Sequence, residues 1–232
     1  MIGIIAAMQL ELEGLKSELT EARETRVGSL VFTEGKLRGL DVVLSVCGIG
    51  KVNAALCAQS MILLFKPECV INTGVGGALD SSLRVCDVVC AEYAVQHDFD
   101  TSPLGDEVGF VSTVNILRFP VDAALRTELI NAMTELNVSA VCAGIATGDQ
   151  FVCSADDKKR ISELFGCKVC EMEGAAIAHA CYVNSVPCAI LRAISDGADE
   201  GSPMSYTEFA GMAAARSVKV LLKFLENRNA VK

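Results

Sequence analysis

Residues 170–181 read C-E-M-E-G-A-A-I-A-H-A-C, placing Glu171 and Glu173 on either side of Met172 where a run of small residues begins. Carboxylates this close repel each other and resist burial, so the pair is either a charged helix start or a set of acids held for a substrate. Other acids stand at comparable points. Glu11 follows the apolar stretch I-G-I-I-A-A-M, Asp149 sits in T-G-D-Q-F-V, and Asp196 ends the run R-A-I-S-D. Carboxylates that converge can divide labour, one protonating a leaving group while another activates water. Each also has a plain structural role. Glu11 suits the first turn of a helix, where a negative charge is favoured by about a few tenths of a kcal/mol. Asp149 and Asp196 suit turns or caps.

What must position these groups is an alternation of strand-length apolar runs with helical patterns, the mark of an α/β domain. Strands are expected at Ile2–Ala7, Cys69–Asn72, Asp87–Val95, Val141–Ala146, Lys168–Met172 and Cys188–Ile194, with a hairpin of Ser29–Glu34 and Asp41–Cys47. Helices are expected at Gln9–Leu19, Val52–Phe65, Asp122–Leu136, Asp156–Phe165, Ala175–Tyr182 and Tyr206–Leu225. T-G-V-G-G-A reads as a glycine turn after its strand. A hairpin among βα units implies a mixed central sheet between helices, a three-layer α/β/α sandwich formed by residues 1–232 as one domain. In such sheets ligands bind beyond the carboxyl ends of strands, which is where the acids and glycine turns collect.

Composition narrows the function classes. A net charge of −9 argues against sequence-independent nucleic-acid binding. The apolar fraction of 51% permits a large core, and no apolar run is long and charge-free enough to span a bilayer. Eleven cysteines, an odd number set mostly among Val, Ala and Ile, imply a reduced cytoplasm with thiols packed as small apolar side chains. Cys167 and Cys170 form a C-x-x-C without a second pair, so no metal is expected there, and an offset of three in a strand sends the thiols to opposite faces. His97-Asp98-Phe99-Asp100 is too poor in histidine to suggest a metal site. Gly48-Ile49-Gly50-Lys51 approaches a dinucleotide fingerprint, but the third glycine and the ribose-binding acid are missing.

Taken together, these segments resemble the 5′-methylthioadenosine/S-adenosylhomocysteine nucleosidases of the purine nucleoside phosphorylase superfamily. The likeness runs through I-G-I-I-A-A-M-x-x-E, G-I-G-K-V-N-A-A-L, I-N-T-G-V-G-G-A-L, Q-H-D-F-D, T-G-D-Q-F, C-E-M-E-G-A-A-I-A-H and R-A-I-S-D-G-A-D, nearly the whole chain. It implies hydrolysis of an N-glycosidic bond without a cofactor, with a nucleoside and water as the small-molecule partners. By this resemblance Asp196 would protonate purine N7 and would need burial to keep its proton near neutral pH. Glu11 would deprotonate water, Glu173 would hold the ribose hydroxyls, and Arg192 would stand near the water. Met172 would lie beneath the sugar, Phe151 would stack on adenine, and the Val152 backbone would read its edge. Met8, Ile49 and Tyr206 would line the alkylthio pocket, with Val75, Gly76 and Ser195 also against the substrate. Val75 stands where some members have Ser, Gly76 where alanine is common, and Gln9-Leu10 replace an acidic pair. The family's loop at Gln96–Gly109 completes a neighbour's pocket, which implies a homodimer. Glu171 stays open between a second site carboxylate and a helix-end charge.

Two other readings compete. A phosphorylase of the same superfamily would use phosphate as nucleophile, but Glu11 would repel it, and Arg84 is the cation nearest the glycine stretch. A dinucleotide-binding dehydrogenase or regulatory module lacks its fingerprint.

Overall fold

The computed structural model describes residues 1–197 and 203–230, with side chains in the second stretch from residue 209 onward. Strand β1 (Ile2–Ala6) is buried at every residue and runs parallel between β4 (Leu40–Val46) and β5 (Cys69–Ala78). Cover on both faces accounts for its unbroken apolar sequence. Helices α1 (Gln9–Lys16), α3 (Ala123–Glu135) and α6 (Pro203–Ala230) pack together on one side of the sheet, around Leu12, Leu15, Leu129 and Leu221. On the other side α2 (Lys51–Phe65) meets α5 (Gly174–Val183), around Met61, Ala175 and Ile177. The mixed sheet between two helical layers is therefore the expected one.

Its closure is not. Strand β10 (Cys188–Asp196) pairs parallel with β5 and antiparallel with β6 (Val88–Gln96). From β6 the pairing passes to β8 (Ala140–Thr147), then to β9 (Cys167–Glu171), and returns from β9 to the end of β5. Five strands thus close a ring, and β1, β4, β3 (Leu30–Leu37) and β2 (Thr20–Val27) extend from it as an open wing. A two-residue strand, β7 (Phe119–Pro120), pairs with β6. Helix α4 (Ala155–Phe165) lies against β8 and β9.

Four expectations need correction. T-G-V-G-G-A is no turn but the second half of β5, which leaves β1 after Asn72 and reaches β9 at Gly77 and Ala78. Its glycines are there for proximity. A Cβ on Gly74 would fall 2.6 Å from Glu11 Oε1, and one on Gly77 would fall 2.9 Å from Asp196 Oδ2. Strand β2 has no counterpart in the expected elements, because T-E-A-R-E-T-R-V is almost wholly exposed and carries no apolar alternation. It is an edge strand guarded by charge. Finally, Cys167 and Cys170 do not face apart. Two residues of β9 oppose one step of β8 at Gly144 and Ile145, and this bulge brings both thiols into one apolar cluster. Both are free, and burial pushes each up to about 12, so neither is a thiolate at neutral pH. Helix α1 also stops at Lys16, short of Leu19, and among the described residues no helix is long and apolar enough to cross a membrane.

Candidate active site

A cleft of about 700 Å³, counting its open mouth, lies where the carboxyl ends of β1, β5, β8, β9 and β10 meet. That size suits a small organic ligand. Its walls include Met8, Glu11, Ile49, Val75, Gly76, Phe151, Val152, Met172, Glu173, Ser195 and Asp196, eleven of the thirteen residues singled out in the sequence. Arg192 sits behind the wall. Tyr206 falls within the α6 span, but its side chain lies outside the described residues. Ala7, Gly77, Gln150, Cys170 and Glu171 also line the cleft and were not singled out as contacts. Small or thiol side chains and an unplaced acid gave no chemical signal of this.

Glu11 is the third residue of α1, and its carboxylate doubles as that helix's cap. Oε2 accepts from the backbone N–H of Ala7 at 3.0 Å and of Met8 at 2.8 Å, while Oε1 accepts from Val75 N–H at 3.0 Å. Val75 thus contributes through its main chain. Burial raises the Glu11 pKa above the ordinary carboxylate value, opposed by the Arg192 charge and the backbone N–H donors. A carboxylate so placed is a stronger base than one in water.

Glu173 stands at the start of α5, and its Oε1 accepts from Gly50 N–H at 2.8 Å. Gly50 has φ 98°, a left-handed conformation suited to glycine, so the G-I-G-K loop spends this buried amide on a carboxylate of its own chain. The loop is fastened further by Asp149, whose Oδ1 accepts from Lys51 N–H at 2.7 Å, and by the Lys51–Asp98 ion pair at 2.6 Å. Burial and then the Glu171 charge push Glu173 up to about 7.

That shift sets a sign for stability. A carboxyl whose pKa is raised from 4.5 to about 7 binds more protons folded than unfolded in that interval. Stability from this group is therefore lost as pH rises from 4.5 through 7, by at most about 3 kcal/mol. Glu173→Gln is expected to raise the urea midpoint at pH 8 and to leave it almost unchanged at pH 4.5. Equal midpoints at pH 8 would remove the argument.

Glu171, left open by the sequence, lines the cleft and is tied into the surrounding chain. Its Oε2 accepts from the backbone N–H of Glu173 at 3.0 Å and of Gly174 at 2.7 Å, and it takes short bonds from Thr147 Oγ1 and Arg192 Nη2. Arg192, 1% exposed, also donates to Asn72 Oδ1 at 2.5 Å. One buried guanidinium is thereby held against Glu171, with Glu11 and Glu173 close enough to feel its charge. Asp196, also buried, accepts from Ser195 Oγ at 2.8 Å, and Lys158 Nζ lies 3.5 Å from its other oxygen. Phe151 and Ile49 stand half-exposed at the mouth.

Among the described lining residues there is no Lys or Arg, and Arg84 is exposed away from the cleft. The His97–Asp100 segment does not gather round a point. His97 is buried, Asp98 is paired with Lys51, and Asp100 accepts from Ser102 N–H. No group of three His, Cys, Asp or Glu among the described residues is arranged to hold a metal.

The ring-closed mixed sheet with acids at its strand ends defines the class: the phosphorylase superfamily, whose sequence profile matches residues 1–226. Within it, the chain is 40% identical over 227 residues to a 5′-methylthioadenosine/S-adenosylhomocysteine nucleosidase from Haemophilus influenzae, covering 97% of this chain and 98% of that one. A nucleosidase of the same name from Neisseria meningitidis, solved in complex with methylthio-immucillin-A, superimposes with a TM-score of 0.94 at 36% identity, over 97% and 98% of the two chains. A futalosine hydrolase of Helicobacter pylori gives 0.93 at 33% identity, over 97% of each. The chain belongs to the 5′-methylthioadenosine/S-adenosylhomocysteine nucleosidase family, a family of N-glycosyl hydrolases.

Proposed function

We propose that the protein cleaves the N-glycosidic bond of 5′-methylthioadenosine and S-adenosylhomocysteine, releasing adenine and a 5-thio-substituted ribose. The observation that carries this is the convergence of Glu11, Glu173 and Asp196 on one cleft. Adenine is a poor leaving group as an anion. Asp196 gives its proton to N7 as the C1′–N9 bond breaks, so adenine departs neutral, a contribution typically worth about 10²- to 10⁴-fold. Glu11 takes a proton from water while the water oxygen bonds to C1′, and the two acids exchange the proton through solvent afterwards.

Electrostatics favour the same path. Glu11, Glu171 and Glu173 share one buried cation, Arg192, so the site is short of positive charge. An oxocarbenium-like ribose supplies it. Glu173 as a carboxylate accepts from the ribose hydroxyls. Phe151 stacks on the base, Val152 reads its edge, Met172 supports the sugar, and Met8, Ile49 and Tyr206 receive the 5′ group, beside Val75, Gly76 and Ser195. Phosphorolysis is disfavoured by the acidic, lysine- and arginine-free walls among the described residues. Incubation with methylthioadenosine, with and without phosphate, tests this. Free methylthioribose in both tubes is expected, and a sugar 1-phosphate formed only with phosphate would overturn the hydrolase reading.

The chain is read as a single functional unit that works in the cytoplasm as a homodimer. Support for pairing comes from α2, whose Val52 and Leu56 are 69% and 58% exposed beside the cleft residue Ile49, and from Leu104 in the Gln96–Gly109 loop, 85% exposed. A fully active monomer in light scattering would refute the dimer.

A further inference from the structure

Helix α4 opens Ala155-Asp156-Asp157-Lys158-Lys159-Arg160, which reads as a solvated charged face. Asp156, Asp157, Lys159 and Arg160 are indeed exposed, but Lys158 is 3% exposed. A lysine is almost never buried without partners. Its Nζ donates to the Gly197 carbonyl at 2.7 Å and lies 3.5 Å from Asp196 Oδ2. Ser195 Oγ donates to Asp196 Oδ1, so the two carboxyl oxygens have different neighbours, and Gly77 leaves the room that both need.

We propose that Lys158 is a positioning residue for the proton-donating Asp196, fixing the end of β10 and stabilising the carboxylate that forms as the proton leaves. The inference rests on the assignment of Asp196 as the acid. As the Asp196 proton passes to N7 and the C1′–N9 electron pair passes to N9, negative charge appears on a carboxyl that is only 3% exposed at the cleft wall. The Lys158 ammonium is the cation beside it, and its bond to Gly197 holds it in place before the charge develops. Such preorganised charge acts on the barrier, not on binding. Because Lys158 lies outside the cleft lining, it does so without touching the nucleoside.

The test compares Lys158→Met, Lys158→Gln and Lys158→Arg with Asp196→Asn on two substrates. Methylthioadenosine needs its leaving group protonated, whereas a nitrophenyl glycoside of 5-methylthioribose expels a stable phenolate unaided. Lys158→Met and Lys158→Gln are expected to lower kcat on methylthioadenosine by about 10²-fold with KM nearly unchanged, and to recover much of it as Lys158→Arg. The glycoside should lose no more than a few-fold. A loss shared equally by both substrates, or a rise in KM without a fall in kcat, assigns Lys158 to the fold alone and overturns the inference. If wild type fails to cleave the glycoside, the split between kcat and KM together with the Arg rescue decides. An Asp196→Asn that slows both substrates alike, or neither, overturns the acid assignment itself; a selective Asp196→Asn beside unselective Lys158 variants overturns only the role of Lys158.

Discussion

Asp196→Asn is expected to lower kcat on methylthioadenosine by about 10²- to 10⁴-fold with the fold retained, at some cost in stability because Lys158 Nζ, 3.5 Å from Asp196 Oδ2, then faces an amide. Asparagine keeps the shape, and its carbonyl oxygen can still accept from Ser195 Oγ, now 2.8 Å from Asp196 Oδ1. What it cannot do is release a proton to purine N7. KM should change little, since the lost interaction belongs to the breaking bond and not to the resting nucleoside. Adenine release followed by absorbance in a single turnover measures the step directly. A variant within tenfold of the wild-type rate would end the case for this residue as the acid.

The second large effect is on stability. Arg192→Met removes the cation that Glu171 faces in a place closed to water, with both side chains no more than 2% exposed. Breaking one side of such a pair costs about 3–5 kcal/mol, much of it from the carboxylate left alone. For a chain of this length that is a fall of roughly 10 °C in Tm. Replacing both partners, as in Arg192→Met with Glu171→Gln, should recover part of the loss, since the carboxylate in direct contact with the guanidinium is removed with it, although Glu11 and Glu173 still lose the cation they share. Thermal unfolding of the two single variants and the double decides the matter. A double variant no more stable than Arg192→Met alone would mean that the pair is not what holds this region.

These effects trace to groups that the sequence revealed unequally. Glu11, Glu173 and Asp196 stood out because each lies at or within a few residues of the carboxyl end of an apolar strand, although their separate roles came only with the family resemblance. The order of strands and helices was legible for the same reason, from period and length. The path of β5 was not, because glycine after a strand usually signals a turn, and only the neighbouring acids explain why side chains are missing there. Strand β2 escaped notice because an exposed edge has no apolar face to betray it. Lys158 was hidden by its company: four exposed charged neighbours mask one buried ammonium, and which of them turns inward depends on where α4 rests against the sheet. The role of Glu171 depended on Thr147 and Arg192, 24 and 21 residues away in the chain, which no local pattern connects.

Glu11 closes the first turn of α1 with the same oxygens that, in the proposed reaction, receive a proton from water. In that proposed reaction the oxygen pair would become a neutral acid in each cycle, and a poorer acceptor for the amides of Ala7, Met8 and Val75. If Glu11 is the base, the link between the first strand and the first helix would be held less firmly while that proton is on the carboxyl and more firmly once it escapes. On that proposal, one carboxyl group would gear turnover to the local rigidity of the amino-terminal segment.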